Sequence, residues 1–241
     1  KPPMFGHEHM ADFGDASKAF LGLGFWKKPW QKRWDAADQK VEGPASHGYF
    51  DNEYFNPNLY RTQLPYYAFK DVTRADGFWA AKIIMKFTDG DIETLVSTGE
   101  FSDPETSKRL AETLVKRRDL IGQYWFKQAN PLDDFELTES GGSYELRFED
   151  LAVRYGFETT GDALYQIDIV GKDGKKRRRL AEEEIKEPAF GIGREWLEEY
   201  SEIHLVIRTQ RASESGHGPY VRVEIQNEGG TPRLAGIVHQ D

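Results

Sequence analysis

Two hydrophobic periods run along this chain, and they meet at Asn130-Pro131-Leu132-Asp133. Upstream, apolar residues recur at helical spacing; after Asp134 they alternate with polar residues, as on half-buried strands. The change predicts an α+β class: an aromatic-rich helical unit over residues 1–131, then an antiparallel β-sandwich-like module over residues 132–241.

Within the helical part, a Ser or Thr is followed three residues later by an acid at Thr73/Asp76, Thr88/Asp91 and Ser102/Glu105. Each pair reads as a capping box, in which the hydroxyl takes a backbone N–H of the new helix and the acid reaches back. The first helix is expected from about Arg74 to Phe87, with Phe78, Trp79, Ile83, Ile84 and Phe87 on its buried stripe. The second is short, carries Ile92, Leu95 and Val96, and is expected to stop at a left-handed Gly99. The third should run from Asp103-Pro104 to about Gln128 on a face of Leu110, Leu114, Ile121 and Trp125. Before them, His47 to Phe69 is rich in Tyr, Phe, Asn and Pro without a sustained period. That predicts an extended segment wrapping the helices, its aromatic rings pinned into their grooves.

Strands are expected at Tyr144/Leu146/Phe148, at Leu164–Ile169, at Glu202–Ile207 and at Val221/Val223/Ile225. Lys172-Asp173-Gly174 is a hairpin turn, and the cationic run Lys175–Arg179 after it reads as an edge strand whose charge resists edge-to-edge pairing. Ala181–Lys186 and Arg194–Tyr200 suit short helices in connections. Strands with turn-rich links and no long helix between them suggest an antiparallel sandwich.

At 241 residues the chain can hold two modest cores. It has no Cys, which excludes disulfides, thiolate metal sites and Cys nucleophiles, and leaves the compartment open. A net charge of −9 argues against general nucleic-acid binding. No run approaches the ~20 apolar residues of a transmembrane helix. The opening Lys1-Pro2-Pro3-Met4 lacks a signal-peptide layout, and a first residue other than Met points to processing or truncation.

Candidate chemistry clusters near the start. His7 and His9 with Asp12 can offer two imidazoles and a carboxylate to a divalent cation, although ligands near a terminus lack a fixed second shell. Trp26, Trp30 and Trp34 recur every four residues among Lys27, Lys28, Lys32 and Arg33. Such a row can stack sugars, bases or a partner's side chains, or simply pack against the helices, and Pro29 interrupts a continuous helix through it. Arg117-Arg118-Asp119 reads as a solvated or interdomain face. The chain lacks a Gly-x-Ser-x-Gly elbow, and the acid pairs Asp133-Asp134 and Glu182-Glu183-Glu184 read as solvated, so no residue is assigned a catalytic role.

Asp12-Phe13-Gly14 is the triplet with which protein kinases hold Mg²⁺ on nucleotide phosphates. Together with Trp26-Lys27-Lys28-Pro29-Trp30, Phe78-Trp79-Ala80-Ala81-Lys82, Phe101-Ser102-Asp103-Pro104, Arg117-Arg118-Asp119-Leu120-Ile121-Gly122 and Asn130-Pro131-Leu132, it resembles the C-terminal part of large bacterial proteins. In these, an Asp-Phe-Gly segment closes a kinase-like region and a β-rich module ends the chain. The resemblance implies export to the periplasm or cell surface, and Asp12 as a metal ligand. A phosphotransferase also needs a phosphate-covering loop, a phosphate-pairing Lys and a catalytic loop before that triplet, and only eleven residues precede Asp12.

The sequence therefore leads to two expectations. The first is a non-catalytic binding or assembly protein without a cofactor, contacting protein or glycan partners. The alternative is the C-terminal portion of a kinase-like phosphotransferase that needs an upstream fragment of the same precursor and takes Mg²⁺ with a nucleotide.

Overall fold

A computed structural model describes residues 13–23, 25–28, 31–32, 50, 52, 55–60, 66–170, 176–179, 185–212, 217–228 and 231–240. Helices occupy the first half: α1 Phe13–Leu21, α2 Tyr67–Lys70, α3 Arg74–Met85, α4 Asp89–Ser97 and α5 Pro104–Gln128, with a 3-10 turn at Pro57–Leu59. Strands dominate the second: β1 Leu132–Ser140, β2 Ser143–Asp150, β3 Ala163–Val170, β4 Lys176–Arg179, β5 Ala189–Ile192, β6 Glu202–Arg211, β7 His217–Glu228 and β8 Thr231–His239. Short helices α6 Leu151–Arg154 and α7 Arg194–Glu199 lie in the connections. The class is α+β, a helical N-terminal part followed by a β-rich part.

Capping chemistry sets the helix starts. The Thr73 and Thr88 hydroxyls accept from the backbone N–H of Asp76 and Asp91, both at 3.1 Å, and each Asp carboxylate accepts from the backbone N–H of its Thr. The third start differs from the expected Ser102/Glu105 box. Asp103 is the cap there, its carboxylate accepting from the Glu105 N–H at 3.1 Å and the Thr106 N–H at 3.2 Å. An Asp directly before Pro104 is already placed to take those donors, because proline fits the first helical position and brings no N–H of its own. Hydrogen bonds to the charged form lower all three carboxyl pKa values: from the Thr73 backbone and then its hydroxyl for Asp76, the Thr88 hydroxyl and then its backbone for Asp91, and the Thr106 hydroxyl first for Asp103.

Two compact units divide the chain: Lys1–Val72 with Ala81–Tyr124, and Thr73–Ala80 with Trp125–Asp241. In the first, Ile92 and Val96 of α4 and Ala111 of α5 form a small buried cluster, edged by Leu110, Leu114 and Val115. Ala81 and Met85 are also buried, whereas Ile83, Phe87 and Leu95 are exposed, against the expected stripe. At helical spacing Ala81 and Met85 lie on one row and Ile83 and Phe87 on the next, so the buried row carries the small side chain and the larger ones remain outside. Gly99 does not take the expected left-handed conformation; Glu100 does, at φ 48°. A Cβ at Gly99 would sit 2.6 Å from the ring of the exposed Phe101, which would have to shift to admit it.

In the second unit, the start of α3 packs by ring contact, with Phe78 and Phe126 edge to face at 5.6 Å. Glycine is unfavourable in mid-helix, but at Gly77 a Cβ would fall 2.2 Å from the Trp125 ring, so the close approach of that ring excludes a side chain there. Trp79, expected on the buried stripe, is exposed. The strands form two antiparallel sheets, ordered β1-β2-β5 and β4-β3-β6-β7-β8. Leu132, Leu146 and Ile192 of the first share one core with Ile167, Leu205, Ile207, Val221 and Val223 of the second. Period-two alternation dictates this: Leu146 and Phe148 point inward on β2, as do Val221, Val223 and Ile225 on β7. β4 pairs with β3 at the sheet edge, as its cationic sequence predicts; the turn before it lies outside the described residues. β1 and β8 were not legible as strands. A register shift separates Asp133 from Glu136, where Asp134 takes φ 50°, and another separates Glu224 from Ile225 opposite β8. Burial along β8 alternates over its first residues, but its sequence Thr231-Pro232-Arg233-Leu234-Ala235-Gly236 does not alternate apolar with polar. Arg194–Glu199 is helical as expected, whereas Ile185 of the acidic run makes an isolated bridge to Tyr165 instead of a helical turn.

Candidate functional site

Most of the candidates near the start fall outside the described residues: His7, His9 and Asp12 of the metal proposal, and Trp30 and Trp34 of the aromatic row. Trp26 is described and half-buried, with the Lys18 ammonium 5.6 Å from its ring centroid. Among the described residues, no group of three His, Asp or Glu could hold a metal ion, and no helix is long and apolar enough to cross a membrane.

Among the described residues, a concave apolar surface lies in the first unit. A groove of about 460 Å³ is lined by Phe50, Phe55, Ile84, Phe87, Ile92, Leu95, Leu114, Arg117, Arg118 and Ile121. Its size is that of ligand pockets, about 300–1,000 Å³. A second depression of about 410 Å³ meets it at Phe87 and Leu95, and adds Lys86, Asp91 and Thr94. Phe87 and Leu95 thus form an apolar ridge, 44% and 58% exposed, between two hollows.

The groove is built around Arg117-Arg118-Asp119, for which the sequence offered a solvated or an interdomain face. Arg117-Arg118-Asp119 does not behave as a solvated face. The Arg117 guanidinium lies 3.8 Å from the Phe50 ring centroid and 4.7 Å from that of Phe55, so it stacks between two aromatic residues of the wrapping segment. Arg118 donates to the Phe87 carbonyl at 2.7 Å and pairs with Asp89 at 2.8 Å and Asp119 at 2.7 Å, its side chain 12% exposed. It thereby holds the corner between α3 and α4. Burial works against its charge, but the hydrogen bonds to Asp119 and Asp89 outweigh that cost and raise its pKa above the ordinary value. The expected wrapping segment is also seen in part: the Tyr124 hydroxyl donates to Asn58 Oδ1 at 3.0 Å, while Tyr60, Tyr66 and Phe69 are exposed. Two adjacent arginines in the middle of a helix, with an aromatic-rich segment earlier in the chain, were the available signal for this stacking.

The β-rich unit holds two polar arrangements that sequence reading also missed. Arg211 Nη2 bonds both Asp150 oxygens, at 3.1 and 2.9 Å, and the Tyr165 hydroxyl donates to Asp150 Oδ2 at 3.0 Å. Asp150 also caps α6 by accepting from the Ala152 N–H. Burial pushes the Tyr165 phenol well above its ordinary pKa, and the adjacent Asp150 charge adds to the effect. This network fastens the end of β2 to β3 and β6, although the buried Arg211 Nη1 makes no hydrogen bond in it. On the sheet face opposite the core, His204 Nε2 lies 2.6 Å from Glu202 Oε1. Proton transfer from such a pair needs a reacting group in hydrogen-bond reach. Its cross-strand neighbour Glu224 is already bonded to Arg222 at 3.1 Å.

In comparison with known proteins, no family model and no curated protein matches this chain. What the site does must therefore be argued from the groove.

Proposed function

We propose that this chain is a non-catalytic binding or assembly module, and that its helical unit takes an apolar segment of a protein partner into the groove between α3, α4 and α5. The observation that carries this is the Phe87/Leu95 ridge: large apolar side chains left in solvent beside an apolar hollow whose arginines are already stacked or bonded. An amphipathic helix laid into a hydrophobic groove is the recognition mode that suits such a surface. A glycan partner would instead call for polar groups directed at hydroxyls, and both guanidinium groups here are engaged within the unit. An exported or surface setting, implied by the family resemblance, suits a module whose work is contact.

Selection from a library of displayed helical peptides tests the proposal. Enriched sequences should carry aromatic or aliphatic residues at i, i+3 or i+4 and i+7, and should lose binding to Leu95→Asp. Failure to enrich any peptide, or enrichment unchanged by Leu95→Asp, would contradict it.

A further inference from the structure

We infer that the groove of the helical unit receives α1 of a second copy of this chain, so that two copies associate by exchanging this arm. The inference rests on the docking role just proposed and names its partner. Phe13, Phe20 and Leu21 are 87, 81 and 80% exposed, and Leu23 and Phe25, just beyond the helix, are 83 and 90% exposed. Phe13, Phe20 and Leu21 stand at i, i+7 and i+8, on one face of α1. The other side of the helix is tied back to its own segment, where Asp15 lies 3.7 Å from Lys18 and 3.9 Å from Lys28, and Lys18 sits over Trp26. One edge of α1 is thus held by charge, and the apolar edge faces out.

The groove has the matching need. Its lining residues come from Phe50, Phe55 and the α3–α5 region, with none from α1, and its ridge residues Phe87 and Leu95 are exposed. The area is what decides for a second copy. With about 150–250 Å² for each aromatic side chain, the three Phe rings of the arm alone offer roughly 400–650 Å² of apolar surface. In a reciprocal exchange each copy gives both an arm and a groove, which reaches the roughly 800 Å² per partner of a standard stable interface. Exchange of an identical element also closes on itself as a two-fold dimer, so no exposed arm is left over. A lipid surface is the less suitable occupant, because the chain carries a net charge of −9.

The absence of native Cys makes the test direct. Phe20→Cys and Leu95→Cys are made on separate chains, mixed and oxidised, with circular dichroism confirming that both fold. The expected product is a covalent dimer of twice the 27.7 kDa chain that needs both variants and is lost when Phe87→Asp is added to the Leu95→Cys chain. Wild-type protein should sediment as a dimer, and Phe20→Asp as a monomer. Three results would overturn the inference: no cross-link with a monomeric wild type, an intramolecular cross-link when both Cys are on one chain, or binding to phosphatidylcholine–phosphatidylglycerol vesicles that Phe20→Asp abolishes. If displayed peptides still bind the groove while the chain remains monomeric, only the identity of the partner fails. If neither peptides nor α1 engage it, the docking role fails as well.

Discussion

Along β6 and β7, Leu205, Ile207, Val221 and Val223 are withdrawn entirely from solvent, whereas at the α3–α4 corner Phe87 and Leu95 stand 44 and 58% exposed. Both regions are rich in apolar side chains, yet one closes two sheets over them and the other leaves a ridge in water. The difference separates a part of the chain that holds itself together from a part that offers surface. Buried area in the β-rich unit stabilises the fold; exposed area in the helical unit is what a partner would cover.

The contrast is sharpest where a polar group is locked inside the β-rich unit. Asp150→Ala would leave the Arg211 charge buried and unpaired, and should cost about 3–5 kcal/mol of unfolding free energy, read from the denaturant midpoint. Leu205→Ala, at a site with no exposure, should cost about 2–5 kcal/mol in the same measurement. Either variant behaving like wild type would show that the two-sheet core is not the stabilising element described.

Effects in the helical unit should be smaller. Arg117→Ala removes the cation stacked between Phe50 and Phe55, worth about 0.5–2 kcal/mol, and should speed proteolysis around those rings without unfolding the sheets. The helix starts give a pH signature. Because the native pKa values of Asp91 and Asp103 are lowered, their contribution is full above the ordinary value of 3.8 and fades as pH falls from there through the native values. Loss of α4 and α5 helicity should therefore begin at acid pH, and Asp91→Asn should flatten that dependence in a circular-dichroism titration. A titration unchanged by Asp91→Asn would remove the capping box from the account.

Much of this architecture was legible in the sequence because it rests on local rules. Alternation placed β2, β3, β6 and β7, and hydroxyl–acid spacing placed the starts of α3 and α4. What was not legible depends on contacts distant along the chain or on breaks in period. The strands β1 and β8 lie beside register shifts, and Arg117 meets Phe50 and Phe55 across more than sixty positions, a pairing that no periodicity encodes. The groove was therefore invisible, although its components were all named: the aromatic wrapping segment, the helical stripe and the Arg117-Arg118-Asp119 triplet. The stripe itself misled, since helical spacing marks candidate faces but not which of two neighbouring rows is buried, and here Ala81 and Met85 took the inside.

The smallest expected effect on stability coincides with the largest on binding, at Leu95. A surface substitution there should move unfolding by no more than about 0.5 kcal/mol. Titration of a selected helical peptide into the Phe20→Asp chain, whose arm no longer fills the groove, and into the same chain carrying Leu95→Asp, with thermal unfolding followed in parallel, tests the division between self-holding and surface-offering regions most directly. Binding weakened at least about ten-fold, a change of about 1.4 kcal/mol, with the unfolding midpoint unmoved is the predicted result. Equal binding by both proteins, or a midpoint that falls with the substitution, would contradict it.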